Sequence, residues 1–367
     1  MDELNRLTVV IPSFGRHDYL LRQISFWSNS AARVVIIDGS PDQLALGTQL
    51  PSNIEYVHDP SPFAIRMLNS VGCVKTDFVA VLGDDDFFSP RGLQQCITRL
   101  NSDPDVVGCI GRSVRFFFQD GKVLAEQRDP ESTEFPSSVH TGLDRLYATY
   151  HSGKIGALFY GVYRSEPWSQ VVRTTYSTTF ATGYIYDTII RVLMTYRGSV
   201  GIVDSLVWYC SSENPPVKTG PGMDRKVGFL DWLRLPEHQA EVHSCEQLMV
   251  DDLARLGSDS TEELLLAVRY VMAELQRRYE AKEVRYGSAL MRTRRLLIRR
   301  APRMAKRLVK RFVPRMARNI VDWTVTDLTD VLDSLSDRGI EVDRIDATRI
   351  SVAVEEFHLG SVSRESC

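Results

Sequence analysis

The chain has 367 residues, of which 43% are hydrophobic, 25% charged and 9% aromatic. That balance belongs to a soluble globular protein of two to three domains. It excludes a collagenous or wholly disordered chain, because Val, Ile, Leu and Phe suffice for a sizeable core. The formal charge of −3 hides a separation: twelve Lys and Arg and no acid lie between Met291 and Arg318, so the remainder carries −15.

The opening residues Met1–Arg6 are acidic and lead straight into a strand-like run, so they do not read as a secretory signal. Leu7–Ile11 is short, apolar and β-branched and ends at Pro12, which suits a buried parallel strand. Helical spacing follows over Asp18–Ser28 through Leu20, Leu21, Ile24 and Trp27. Val34–Ile37 is a second buried strand, stopped by the turn cluster Asp38-Gly39-Ser40-Pro41. A third strand is expected over Ile54–Val57, a helix over Phe63–Val71, and a fourth strand over Phe78–Leu82, ended by Gly83 and a run of acids. The helix over Pro90–Leu100 has Ser89 as its cap and Pro90 at its first position.

Strands alternating with helices predict βαβ units, a parallel sheet and helices on both faces. In such sheets ligands bind beyond the carboxyl ends of the strands, so the loops starting at Pro12, Asp38 and Gly83 share one edge. Further along, strands are expected over Val106–Val123, Lys154–Arg164 and Val200–Tyr209, and a helix over Thr182–Tyr196. Beyond Val227 the chain reads as mostly helical, including Glu262–Tyr286. Pro302 and Pro314 cut the basic stretch into short helices, and an acidic, mixed segment closes the chain. The expected division is 1–226, 227–320 and 321–367.

The strongest chemical signal is Val79-Ala80-Val81-Leu82-Gly83-Asp84-Asp85-Asp86. Three adjacent carboxylates at the end of a buried strand repel one another and need a counter-charge. A divalent cation with hard oxygen ligands supplies one; a solvated acidic turn, or a cap for the helix near Pro90, accounts for the residues equally well.

Three motifs occur in order, each after a strand: Val9-Val10-Ile11-Pro12-Ser13-Phe14-Gly15-Arg16, then Ile36-Ile37-Asp38-Gly39-Ser40, then Leu82-Gly83-Asp84-Asp85-Asp86. Together they resemble the family 2 glycosyltransferases of GT-A fold, closest to a bacterial subgroup with a D-D-D third motif. The likeness spans roughly Leu7–Pro216. It implies an α/β fold, a Rossmann-like and mostly parallel sheet with helices on both faces, plus a helical C-terminal region outside the likeness. It also implies a nucleotide-sugar donor, with a UDP-sugar favoured, a divalent cofactor (Mn2+ or Mg2+), and a glycan or lipid-linked acceptor in bacterial cell-envelope polysaccharide synthesis.

By the same resemblance Pro12 and Ser13 begin the loop beneath the nucleotide, and Asp38 accepts hydrogen bonds from the base. Asp84 lies near the ribose or sugar, Asp85 orients its neighbours, and Asp86 ligates the metal. Arg16 contacts phosphate and Arg66 the donor sugar, with a surface salt bridge as the ordinary alternative for Arg16. Enzymes of this kind typically invert the anomeric centre. The candidate base is Asp187, in a segment where the family carries an acidic pair and this chain a single Asp; an i,i+4 pair with Arg191 explains the residue equally well. Glu166 and Asp204 are weaker candidates.

Other chemistries lack their signatures. The seven histidines form no metal constellation, and the six cysteines show no C-x-x-C spacing and read as reduced cytosolic thiols. There is no Walker loop, no G-x-G-x-x-G and no G-x-S-x-G. No apolar run approaches the roughly 20 residues of a membrane-spanning helix. In the basic stretch Leu297, Ala301, Met304, Leu308, Phe312 and Met316 recur at helical steps. That pattern suits an anionic membrane surface, with packing on the acidic remainder as the alternative; nucleic acid is not expected, since stacking aromatics are sparse there. The enzyme is therefore expected in the cytoplasm, peripheral to the inner face of the membrane. Its rivals are a nucleotidyltransferase and a non-catalytic scaffold docked through the basic helices.

Overall fold

A computed structural model of the chain describes residues 2–46, 49–127, 141–152, 158–213, 227–287 and 325–365. The basic stretch 291–318 and the Pro/Gly-rich loop of 214–225 lie outside them. The first half builds β1 (Leu7–Ser13), α1 (His17–Trp27), β2 (Arg33–Asp38), β3 (Ile54–His58), α2 (Phe63–Ser70) and β4 (Phe78–Val81). These four strands run parallel in the order β3-β2-β1-β4, with Val10 opposite Val35 and Val9 opposite Ala80. Each element expected in this half is present.

The second half adds β5 (Phe87–Phe88), α3 (Pro90–Ser102), β6 (Val106–Gln119), β7 (Lys122–Gln127), α4 (Gly142–Ser152), β8 (Val162–Arg164), α5 (Ser165–Thr175), α6 (Tyr184–Arg197) and β9 (Ser199–Ser211). β8 inserts antiparallel between β4 and β6, and β9 runs parallel to β6 while β5 pairs with it antiparallel. Of the strand expected over Lys154–Arg164, residues 154–157 lie outside the described residues; the rest holds a 3-10 turn at Leu158–Tyr160 and the three residues of β8. Only Ala80, Val79 and Phe78 face it on β4, so three residues complete the pairing. α4 and α5 have no counterpart among the expected elements. Three helices follow, α7 (Phe229–Arg234), α8 (Gln239–Ala254) and α9 (Thr261–Gly287), then β10 (Thr326–Asp327), α10 (Leu328–Asp337) and α11 (Arg344–Glu365). The architecture is α/β: the sheet expected to be mostly parallel is mixed, with β1 to β4 parallel and β5, β7, β8 and β10 paired antiparallel, helices cover both its faces, and a helical C-terminal region follows.

The period of two along each central strand divides its side chains between two cores. Leu7, Val9 and Ile11 of β1, Val34 and Ile36 of β2, and Phe78 and Ala80 of β4 face one core, with Leu20 and Trp27 of α1 and Leu93 and Ile97 of α3. Val10, Val35, Ile37, Val79 and Val81 face the other, with α2, Trp168 of α5, Ile189 of α6, Trp232 of α7, Met249 of α8 and Val268 of α9. Both faces being buried is why these strands read as continuous apolar runs rather than alternating ones.

The C-terminal segment shares the first of these cores. β10 pairs with β7, and Leu328, Leu332 and Leu335 of α10 and Ile350 and Val354 of α11 are buried with β1 and α1. Asp346 of α11 accepts from the Ser89 hydroxyl (2.7 Å) and the Arg91 amide (2.9 Å), an acid at the N-terminus of α3, while Ser89 itself caps that helix at Gly92. Beside it the Glu341 amide donates to Asp204 O (2.7 Å) and the Leu206 amide to Glu341 O (2.8 Å) on β9. Leu335→Ala is therefore expected to cost about 2–5 kcal/mol in urea denaturation, and Ile345→Ala, on the exposed side of α11, no more than about 0.5 kcal/mol.

Candidate active site

The ends of β1, β2 and β4 meet at one edge of the sheet, and the loops that leave them bond to one another. Ser13, the last residue of β1, donates its hydroxyl to Asp84 Oδ2 (2.7 Å). Three residues on, Arg16 Nη1 donates to both Asp84 Oδ1 (2.9 Å) and Asp85 Oδ2 (3.1 Å). Gly15, in left-handed backbone at φ +66°, lets the chain turn between them, and its amide donates to Ser40 Oγ (2.9 Å). Burial pushes the Asp84 carboxyl above its ordinary value, with Asp85 adding to the rise and Arg16 and Ser13 opposing it. Asp85 is the most exposed of the three carboxylates.

Asp38 ends β2 and is fully buried. Its Oδ1 accepts from the Ser40 amide and hydroxyl, and its Oδ2 from His17 Nε2 (3.0 Å) and the Tyr56 hydroxyl (2.8 Å). Burial alone would raise this carboxyl, but Ser40, Tyr56 and His17 outweigh it and hold Asp38 below its ordinary range. Asp38 thus serves the loops around it, and His17 and Ser40 are the members of this network that face the cleft. Arg66, expected on the donor sugar, is also buried: Nη1 donates to Ser13 O (2.5 Å) and Nε to Ser61 O (3.1 Å), joining the ends of β1 and β2 from α2. Its guanidinium covers Gly39 so closely that a Cβ there would stand 2.2 Å from Cζ, so this turn requires glycine.

Asp86 meets a different arrangement from the metal ligation expected of it. Its Oδ2 accepts from Trp208 Nε1 (3.0 Å) and its Oδ1 from the Ser211 amide (2.7 Å), both on β9. On the other side, Gln23 Nε2 of α1 donates to the carbonyls of Asp84 (3.1 Å) and Asp86 (2.7 Å), and Arg22 Nη2 to that of Asp85 (2.8 Å). Gln23 is steadied in turn by Trp27 Nε1 (3.0 Å). Sequence reasoning missed Gln23 and Arg22. Their signal was a pair of polar residues inside the buried stripe of α1, beside Leu20 and Trp27.

Among the described residues no group of three His, Cys, Asp or Glu is placed to hold a metal ion. Two carboxylates do converge, however: one Arg16 nitrogen is within hydrogen-bond distance of both Asp84 and Asp85, and a guanidinium so held occupies the place of a bridging cation. Magnesium-type sites commonly use one or two carboxylates with substrate phosphates completing the shell. Asp84 and Asp85 fit that donor set; Asp86, turned to β9, does not.

Residues 8–158, which hold β1, β2, β4 and all three motifs, match the model of glycosyl transferase family 2. That part of the chain is similar to a family 2 glycosyltransferase domain. The chain is also similar to solved structures of S. aureus TarS 1–349. With UDP-GlcNAc the TM-score is 0.46 at 12% identity over 71% of this chain and 70% of that one. Without ligand the TM-score is 0.46 at 10% over 77% and 74%, and with UDP it is 0.42 at 11% over 71% and 69%. No curated protein matches the chain.

Asp187 lies in the first turn of α6 with its side chain half exposed, and forms an ion pair with the largely buried Arg191 one turn on. No described hydrogen bond joins it to the aspartate loop. Glu166 is exposed in the first turn of α5, and Asp204 pairs with Arg112 on the exposed edge of β9. Among the described residues no helix is long and apolar enough to cross a membrane.

Two results are expected. Trp208→Phe keeps an aromatic side chain but removes the N–H donated to Asp86 Oδ2, lowering stability in urea by about 1–3 kcal/mol. Because Asp38 is held low, its contribution is present above the ordinary carboxylate value and lost as pH falls through and below that value. Wild type should therefore lose stability between about pH 5 and pH 2 more steeply than Asp38→Asn, as measured by denaturation at each pH.

Proposed function

We propose that the glycosyltransferase moves a sugar from a nucleoside-diphosphate sugar, with UDP-sugars the first choice, to a hydroxyl of a glycan or lipid-linked acceptor, with inversion at the anomeric carbon. The observation that carries this is the convergence of Ser13, Arg16, Asp84 and Asp85 at the ends of β1 and β4. A cationic side chain gripped by two carboxylates, beside a cleft, suits a diphosphate that arrives with its own counter-ion.

In this proposal Asp84 and Asp85 would be the residues that hold Mn2+ or Mg2+. The ion, when bound, neutralises charge that develops on the leaving group. Arg16 then turns from the carboxylates to the phosphates, so the same guanidinium serves either partner. Ser13 keeps Asp84 oriented, and Asp86, Gln23 and Arg22 fix the loop's backbone. Asp187 takes the proton of the acceptor hydroxyl as its oxygen bonds to the anomeric carbon and the bond from that carbon to the phosphate oxygen breaks. Arg191 holds the Asp187 carboxylate in one place for that transfer. As a nucleotidyltransferase the loop after β1 would cradle phosphates with its backbone amides, but the Gly15 amide is already used by Ser40.

The test is release of nucleoside diphosphate from a panel of nucleotide sugars, with Mn2+ and with chelator. Wild type is expected to turn over at least one donor only with metal, and Asp85→Asn to fall about 100-fold or more. Asp187→Asn should lose about 100-fold or more in transfer while still binding UDP. Failure of wild type to bind any nucleoside diphosphate would sink the proposal.

A further inference from the structure

The C-terminal helix reaches the loop edge where the donor is proposed to bind. A cleft of about 370 Å3 opens there, lined by Gly15, Arg16, His17, Tyr19 and Ser40 of the loops and helix after β1 and β2, and by Phe357 of α11. The Phe357 ring is half-buried and sits 4.5 Å from that of Tyr19, tilted by 46°. Behind both, the Arg22 guanidinium lies 4.6 Å from the Tyr19 centroid and 4.8 Å from those of Phe357 and Phe87.

The neighbouring residue pins this part of α11. His358 stacks on Phe118 of β6 at 4.6 Å and 3°, and its Nε2 meets Glu213 Oε1 at 2.6 Å. Glu213 Oε2 pairs with Arg22 Nη1 (3.3 Å), and Arg22 Nη2 bonds to the Asp85 carbonyl (2.8 Å). Arg22 and Glu213 have side chains only 3% and 4% exposed, so removing either partner leaves a buried charge uncompensated. One continuous chain of contacts therefore runs from α11 through Glu213 and Arg22 to the backbone of the aspartate loop.

The cleft combines an aromatic wall with polar groups from Arg16, His17 and Ser40 and with two acids, Asp18 and Asp42. A phosphate or a sugar alone makes poor use of a flat aromatic wall, whereas a heterocyclic base offers a face to stack and an edge to bond. We propose that Phe357 is the wall on which the donor's base stacks, and that His358 and Glu213 position it. This rests on the nucleotide-sugar reading above. It makes the C-terminal helix part of the donor site, although the family match ends at residue 158.

The test is calorimetric titration of the full chain with UDP and, separately, with inorganic pyrophosphate, both with Mn2+. Phe357→Leu keeps an apolar side chain against Tyr19 and Arg22 but removes the ring. It should weaken UDP about tenfold and leave pyrophosphate unchanged, while Phe357→Tyr keeps UDP within about twofold. Leu359→Ala, exposed on the same helix, should change neither. Equal UDP binding by wild type and Phe357→Leu would overturn the inference, as would a parallel loss of UDP and pyrophosphate, which marks a structural role. Wild type binding neither probe would instead overturn the nucleotide-sugar reading, and the inference with it.

Discussion

Three consecutive carboxylates close a buried strand in this protein, and the arrangement around them depends on how that charge is met. Each carboxylate is met differently. Asp84 and Asp85 share one Arg16 nitrogen, Asp86 takes two N–H groups from β9, and the carbonyls between them take the amide of Gln23 and the guanidinium of Arg22. Removing a charge from water costs several kcal/mol unless it is paired and bonded. A turn with this many acids is stable because β1, α1 and β9 all bring donors to it. Burial raises Asp84, and the ion pair with Arg16 and the Ser13 hydroxyl oppose that rise.

The division of labour among the acids follows from where their oxygens point. Asp86 and Asp38 are spent inside the protein, one tying the acidic loop to β9 and the other tying the loops after β1 and β2. Asp84 and Asp85 face Arg16, a partner that can move. Arg66 and Gly39 form a further joint, with the guanidinium lying flat on the glycine and fastening β1 to β2. Residues that a motif groups together thus separate into those bonded across elements of the fold, Asp38 and Asp86, and those paired with Arg16 within the loops, Asp84 and Asp85.

The C-terminal elements are woven into the same edge. β10 extends the sheet beyond β7, Asp346 caps α3, and Phe357 and His358 close over α1 and Glu213. A segment far outside the family match is thereby coupled to the loops within it by buried contacts rather than by a linker. The family-matched part and the C-terminal helices share one core on this face of the sheet.

Local pattern alone determined the strands β1 to β4, their helices and the order of the three motifs. A strand buried on both faces must be a continuous apolar run, and a parallel sheet must end its strands at a common edge. The caps of α3 and the glycine of the Asp38 turn were equally plain. Tertiary structure decided the rest. The short β8 and the helices α4 and α5 depend on what the sheet leaves room for. The partners of Asp86 on β9, the closing of Asp38 by His17 and Tyr56, and the arrival of Phe357 at the cleft join residues far apart in the chain. Spacing along a sequence reports only neighbours on one element; which side chain satisfies a buried charge is settled by packing across elements.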